Sequence, residues 1–155
     1  MANADSVGQL YLDSFGSGRV GIVVATQLNT TGNAVVTIPL VGGGLTNGGA
    51  TANSGGIIIR RITVNNPSGD VSSANVAISV QSTGNVAAAN AVVANVVLSN
   101  LTAAGKYQDL TVAGAYGANT VVSGATTSVL YVNVNTASGN SNTVNICVYG
   151  DVVSF

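Results

Sequence analysis

The sequence predicts an all-β protein, an antiparallel β-sandwich of jelly-roll type with about eight strands. Three observations lead to this class. Apolar residues make up 46% of the chain and are mostly Val, Ala, Ile and Leu, whereas aromatic residues make up only 5%. Many of them are β-branched, which suits a pleated, half-buried strand. The apolar runs alternate with polar residues at a period of two, and turns rich in Gly, Asn and Ser separate them.

The strands follow one another at short spacing along the chain. Alternation is clearest near the C-terminus, where Val144, Ile146 and Val148 occupy every second position. Residues 86–98 are the ambiguous part, because their Ala- and Val-rich pattern also fits a helix. The predicted strands are residues 20–28, 34–40, 57–66, 75–81, 90–98, 106–112, 128–135 and 143–150.

The chain of 155 residues is long enough for one domain with a sizeable core, which we place at residues 19–155. Residues 1–18 differ in composition and are predicted to form an N-terminal arm or a first short strand joined by a flexible link. Their side chains Leu10, Tyr11 and Phe15 are candidate interface residues for an extended contact with a neighbouring subunit or another surface. A frayed terminus explains the same composition equally well.

Charge is scarce, since only 6% of the residues are charged and Asn alone outnumbers all of them together. The chain contains no His and no Glu, so the usual general acid–base pairs and the Ser–His and Cys–His nucleophile systems are missing. Five Asp residues are scattered over turns and strand ends, without the spacing of a metal-binding loop. We therefore expect no enzymatic activity, no cofactor and no metal site.

The same composition argues against nucleic-acid and membrane partners. A net charge of −1 with four Lys and Arg residues gives no basic patch for phosphate contacts. The N-terminus has no basic segment followed by an apolar one, which predicts no signal peptide, and no apolar run of membrane-spanning length is uninterrupted. Cys147, the single cysteine, is expected to pack as a small apolar side chain in a protein made in a reducing compartment.

Two neighbouring arginines, Arg60 and Arg61, stand inside the predicted strand GIIIRRITVNN and make up half of the basic residues. Neighbours on a strand point to opposite faces, so strict alternation places Arg60 with Ile62 and Arg61 with Ile59 unless a bulge intervenes. One arginine is then expected on the inner face or at its rim. Each either pairs with a carboxylate at a sheet edge or belongs to a protein interface. The candidate carboxylates are Asp70, Asp109 and Asp151.

Three segments together resemble a known family: IIIRRITVNNPSG, AAGKYQDLTV, and LYVNVNTASGNSNTVNICVYGDVV at the C-terminus. As an ordered set they are similar to the capsid decoration, or cement, proteins encoded beside the major capsid protein of tailed bacteriophages. The resemblance covers roughly residues 57–153, and the segment between Asp70 and Asn95 departs from the pattern. Residues 1–56 are similar only in being rich in Gly, Thr and Val.

The resemblance implies a β-sandwich that binds the outer surface of an assembled capsid and stabilises the head. Its partners would be the major capsid protein and further copies of itself in a homotrimer. Its location would be the virion, after assembly in the host cytoplasm, and Arg60 and Arg61 would lie on a strand. Two alternatives remain open, a structural component of a phage tail or fibre, and a carbohydrate-binding adhesive module. The scarcity of aromatic residues argues against the second alternative.

Overall fold

The computed structural model describes residues 18–40, 56–82, 91–113, 121–123 and 129–153. Within these ranges the chain forms nine β-strands and no helix. The strands are β1 (Gly18–Gln27), β2 (Gly32–Pro39), β3 (Gly56–Asn65), β4 (Asn75–Ser79), β5 (Ala91–Val97), β6 (Tyr107–Leu110), β7 (Val121–Ser123), β8 (Val129–Thr136) and β9 (Thr143–Val153). The all-β class predicted from the sequence is therefore confirmed.

The strands form two antiparallel sheets. The large sheet has five strands in the order β1-β9-β3-β6, with β7 also pairing with β3, and the small sheet has four in the order β2-β8-β4-β5. Leaving β7 aside, four of the six strand pairs are nested along the chain: β1 with β9, β2 with β8, β3 with β6, and β4 with β5. The other two, β3 with β9 and β4 with β8, join these pairs within each sheet. The first and third of the nested pairs lie in the large sheet, and the second and fourth lie in the small sheet.

Every strand predicted from the sequence is present, to within a few residues at each end. Of the ambiguous segment, residues 86–90 lie outside the described residues, and the rest forms the strand Ala91–Val97, which pairs with β4. The sequence prediction missed β7, whose three residues are too few to show a period of two. The predicted arm, residues 1–18, lies outside the described residues except for Gly18, which begins β1.

Both sheets contribute to one hydrophobic core. The side chains that alternate inward on β8 and β9 are completely buried or nearly so, as their spacing predicts, and they pack with those of β3 and β4. These four rows are Leu130, Val132 and Val134; Val144, Ile146 and Val148; Ile57, Ile59, Ile62 and Val64; and Val76 and Ile78. Burial of these apolar side chains is the main term that stabilises the fold.

Four connections lie at one end of the molecule, which we call the turn end: residues 28–31, 66–74, 98–106 and 137–142. They meet there because β1, β3, β5 and β8 all run toward this end in antiparallel sheets. Backbone amides donate to carbonyls between the connections, namely Ser138 to Leu28 at 2.8 Å, Ser68 to Thr143 at 2.9 Å, and Val71 to Leu101 at 3.0 Å.

Asp70 is held within the turn end by neutral side chains. Its backbone carbonyl accepts hydrogen bonds from the amide groups of Asn140 at 2.6 Å and Asn142 at 3.0 Å. Its carboxylate accepts the backbone N–H of Ser72 at 2.9 Å. Hydrogen bonds from the side chain and backbone of Ser72 hold the pKa of Asp70 below its ordinary value. This carboxylate therefore caps a turn.

Candidate functional site

A bulge in β3 decides where the two arginines point. Ile59 pairs with Gly150 and Arg61 pairs with Tyr149, so Arg60 is an extra residue with no counterpart on β9. The bulge reverses the alternation and turns Ile59 and Ile62 both into the core. Arg60 is exposed and Arg61 half-buried. The expectation of one arginine on the inner face or at its rim assumed strict alternation, and the bulge breaks that alternation: Ile59 and Ile62 fill the inner face here, and neither arginine does.

Gly150 allows the two backbones to approach closely at this bulge. A Cβ atom at this position would collide with the carbonyl oxygen of Ile58 on the neighbouring strand. The bulge on β3 therefore depends on a residue that lies 90 positions further along the chain. A side chain at position 150 would force one of the two strands to move.

Arg60 forms an ion pair with Asp151 on β9. Its Nε donates to Oδ2 of Asp151 at 2.7 Å, and the two side chains are 37% and 45% exposed. Asp151 is one of the three carboxylates predicted as a partner. Asp70 caps the turn described above, and Asp109 accepts the hydroxyl of Thr63 at 2.5 Å. At this exposure the pair contributes at most about 1 kcal/mol to stability.

Arg61 stacks on an aromatic ring instead. Its guanidinium carbon lies 4.9 Å from the centroid of the Tyr149 ring, on the outer face of the large sheet. Burial raises the pKa of the Tyr149 phenol, Cys147 adds to that effect, and the positive charges of Arg61 and Arg19 oppose it. Cation and phenol are thus close enough to affect each other electrostatically.

The stacked pair lines an open groove of about 630 Å³ on this outer face. The groove extends across β9, β3 and β6 toward the turn end, where Tyr107 is 64% exposed. Its lining combines cations, aromatic rings, one carboxylate and neutral hydrogen-bonding groups. The residues are Arg61, Thr63, Asn65, Asn66, Gly105, Lys106, Tyr107, Asp109 and Tyr149.

Most of the chain's positive charge gathers at this groove. Arg61 and Lys106 line it, and Arg19 on β1 pairs in register with Tyr149 at its border. These are three of the four basic residues in the sequence. Asp109 is the carboxylate in the lining, so the groove has a positive surplus although the whole chain is slightly negative.

Sequence reasoning found Arg61 but not the other residues of the groove. The sequence contained a signal for the bulge. Ile57 and Ile59 are at odd positions, whereas Ile62 and Val64 are at even positions, so all four can face the core only if one extra residue lies between Ile59 and Ile62. The alternation of β9 also placed Tyr149 opposite Val148. What the sequence did not show is that β6 brings Tyr107 and Asp109 to this groove, with Lys106 immediately before the strand.

The remaining predicted residues fall in two groups. Leu10, Tyr11 and Phe15 lie outside the described residues. Cys147 is buried, as predicted, with 4% of its surface exposed, and the amide of Asn65 donates to its sulfur at 3.8 Å. Among the described residues no three His, Cys, Asp or Glu side chains cluster as metal ligands would. No helix in these ranges is long and apolar enough to span a membrane.

No family model, no curated protein and no solved structure matches this chain. The function proposed below rests on the sequence resemblance and on the geometry of the groove.

Proposed function

We propose that this chain is a structural virion protein, a capsid cement protein of a tailed bacteriophage that binds the outer capsid surface as a homotrimer. The proposal depends mainly on the side chains that the large sheet presents on its outer face. Three cations and two tyrosines meet there on a chain that is otherwise nearly uncharged. Arg and Tyr are the side chains most enriched where protein interfaces form.

The acidic residues described in the structure support a structural role. Asp70 caps a turn, Asp109 accepts the hydroxyl of Thr63, and Asp151 pairs with Arg60. Each carboxylate thus holds its own part of the fold. In this proposal Arg60 stabilises the large sheet and Arg61 contacts a neighbouring molecule, together with Leu10, Tyr11 and Phe15 of the arm.

We further propose that the two sheets form a β-sandwich of jelly-roll type. The nested pairing of the strands supports it, because a long folded-over ribbon wound across two sheets places alternate pairs in opposite layers. The common core of the two sheets also supports it. A rigid body of this kind suits a protein that clamps neighbouring capsomers.

In this proposal the protein acts by making the assembled shell more stable, without catalysing a reaction. A protein that binds the assembled shell but not its free subunits stabilises the shell by mass action. Many copies act together, so each contact needs only modest affinity. A largely neutral surface favours such contacts, because amides and hydroxyls lose less free energy than charges when they leave water.

The test is to add the purified full-length chain to phage heads assembled without it. We expect saturable binding and a higher melting temperature of the heads, and an Arg61→Ala variant should bind more weakly than an Arg60→Ala variant. Heads that neither bind the chain nor gain stability would refute the proposal. Electron microscopy of intact virions that places the chain on the tail would instead support the tail or fibre alternative.

One observation favours a carbohydrate-binding module as the second candidate. Tyr107 and Tyr149 line the same groove as Asn65, Asn66 and Asp109. Aromatic rings and amide or carboxylate groups are the side chains that stack on sugars and hydrogen-bond to them. A glycan array with the full-length chain tests it. Specific hits that disappear in a Tyr107→Ala variant would support this candidate.

A further inference from the structure

We propose that the groove beside Arg61 binds residues 1–17 of a second copy of this chain. The inference depends on the homotrimer in the proposed function and identifies the contact that joins its copies. Two observations carry it: the charge and aromatic surface of the groove, and the complementary chemistry of the N-terminal segment.

The groove attracts negative charge. Arg61 and Lys106 line it and Arg19 stands at its border, whereas Asp109 is the carboxylate in the lining. The Asp109 carboxylate already accepts a hydrogen bond from Thr63 at 2.5 Å. A carboxylate that enters the groove gains charge-assisted hydrogen bonds, and these are stronger than bonds between neutral groups.

The N-terminal segment supplies such carboxylates. Residues 1–17 contain Asp5 and Asp13 and no Lys or Arg side chain, while the rest of the chain contains all four basic residues and three Asp. The segment therefore has a net charge of −2 and the rest of the chain a net charge of +1, in a chain with only 6% charged residues. Complementary charge of this kind speeds association and selects the partner.

The apolar side chains of the two regions also match. The segment contains Leu10, Tyr11 and Phe15, and the groove presents Tyr149 and the 64% exposed Tyr107. Aromatic rings at an interface bury large areas and pair edge to face or offset. An exposed tyrosine in the groove therefore gains a partner when the segment binds.

The position of the groove favours recognition by side chains. It lies on the face of the large sheet, and between Ile62 and Asn65 the strand β3 pairs with β6 on one side and β9 on the other. A bound segment can therefore add no strand there. The charges and rings named above must provide the affinity.

β1 places the start of the described chain beside the groove. Gly18 pairs with Gly150 and Arg19 with Tyr149, so residues 1–17 precede β1 next to the Arg61 end of the groove. The homotrimer of the proposed function supplies the second copy whose segment binds. In a ring of three copies each groove can receive the segment of its neighbour, which is a head-to-tail contact that closes on itself.

Sedimentation velocity of the full-length chain over a range of concentrations tests the inference. We expect the wild type to be a trimer whose association weakens as salt rises. The double variants Asp5→Asn with Asp13→Asn, and Arg61→Gln with Lys106→Gln, should each weaken association by about tenfold or more. Arg60→Gln is the matched control, since it removes a neighbouring cation outside the groove, and it should leave association unchanged.

Charge exchange provides the second measurement. A variant that combines Asp5→Lys and Asp13→Lys with Arg61→Glu and Lys106→Glu reverses the charges of both the segment and the groove, and it should associate again. A variant with only the segment reversed, or only the groove reversed, should not associate. A monomeric wild type, variants that associate normally, or loss of association in the Arg60→Gln control would overturn the inference. A groove variant that loses its cooperative melting transition is replaced by the segment variants at Asp5 and Asp13.

The outcomes separate this inference from the cement function. A monomer that binds and stabilises heads would overturn the trimer contact and leave the cement function intact. A trimer that depends on the groove but does not bind heads would support the trimer contact and overturn the cement function.

Discussion

The two sheets each have a bulged strand at one edge. In the large sheet it is β1, with a bulge at Ala25, and in the small sheet it is β2, with a bulge at Ala34. The two alanines have φ values of 50° and 51°, a left-handed conformation that non-glycine residues rarely adopt. In each case an asparagine on the neighbouring strand accepts the alanine N–H. Asn145 accepts it at 2.9 Å in the large sheet, and Asn133 at 2.8 Å in the small sheet.

The surroundings of the two asparagines differ. Asn133 is 1% exposed and also donates to the Ser79 hydroxyl at 3.1 Å, whereas the hydrogen bond of Asn145 lies on an exposed part of the large sheet. At Asn133 the outer face of the small sheet is therefore closed to solvent. The same face of the large sheet carries the open groove with Arg61. Similar hydrogen bonds to a bulge thus lie in a buried place on the small sheet and in an exposed place on the large sheet.

The largest effect is expected from Gly150→Ala. The new Cβ would collide with the carbonyl oxygen of Ile58 and disturb the bulge that turns Arg61 outward. Overpacking of this kind costs about 3 kcal/mol. Urea denaturation gives the free energy of unfolding. A matched Gly139→Ala change, in a turn with no atom within 4 Å of the new Cβ, should cost less, although its φ of 74° adds strain. Equal losses would contradict the role of the bulge.

Asn133→Ala should be the next most damaging change. It leaves the Ala34 N–H and the Ser79 hydroxyl without this partner in a buried place, which costs about 2 kcal/mol. Thermal unfolding measures the difference.

Asn145→Ala is the counterpart in the large sheet and sharpens the comparison. Its hydrogen bond is exposed, so water can replace the lost acceptor, and we expect a loss of about 0.5 kcal/mol. If the two asparagine variants lost equal stability, the distinction between a closed and an open face would be wrong.

The two arginines should separate folding from association. Arg60→Ala removes the exposed ion pair with Asp151 and should lower stability by about 0.5 kcal/mol, which a double-mutant cycle with Asp151→Ala can isolate. Arg61→Ala should weaken assembly more than folding. Head binding and urea denaturation of both variants provide the two measurements, and equal effects on both properties would contradict this division.

The smallest effect concerns Tyr149 at high pH. Burial raises its pKa above the ordinary value of 10.0, so the stability linked to its proton is complete below that pH and is lost as the pH rises through the raised pKa. Ultraviolet titration should show one late-titrating tyrosine, which disappears in Tyr149→Phe. Arg61→Ala should raise that pKa further, because a positive charge that lowers it is removed. An unchanged or lower pKa of Tyr149 in the variant would show that Arg61 does not lower it.

Several features of the site depend on information that a single strand does not contain. The alternation of β9 correctly predicted that Val148 points inward and Tyr149 outward. In β3 the same rule failed after Ile59, because the register there is set by Gly150 on the partner strand. The pairing of Arg60 with Asp151 could be named only as one of three possibilities, since the pairing of β3 with β9, and not distance along the chain, decides which carboxylate lies nearby.

The sequence by itself determined the all-β class, the positions of most strands and the buried side of β8 and β9, because these follow from local composition and a period of two. Only the tertiary structure decided which face Arg61 occupies and that Tyr149 and Lys106 stand beside it. The physical reason is that a one-residue bulge reverses every side chain after it. Its position depends on contacts between strands that are far apart in the chain.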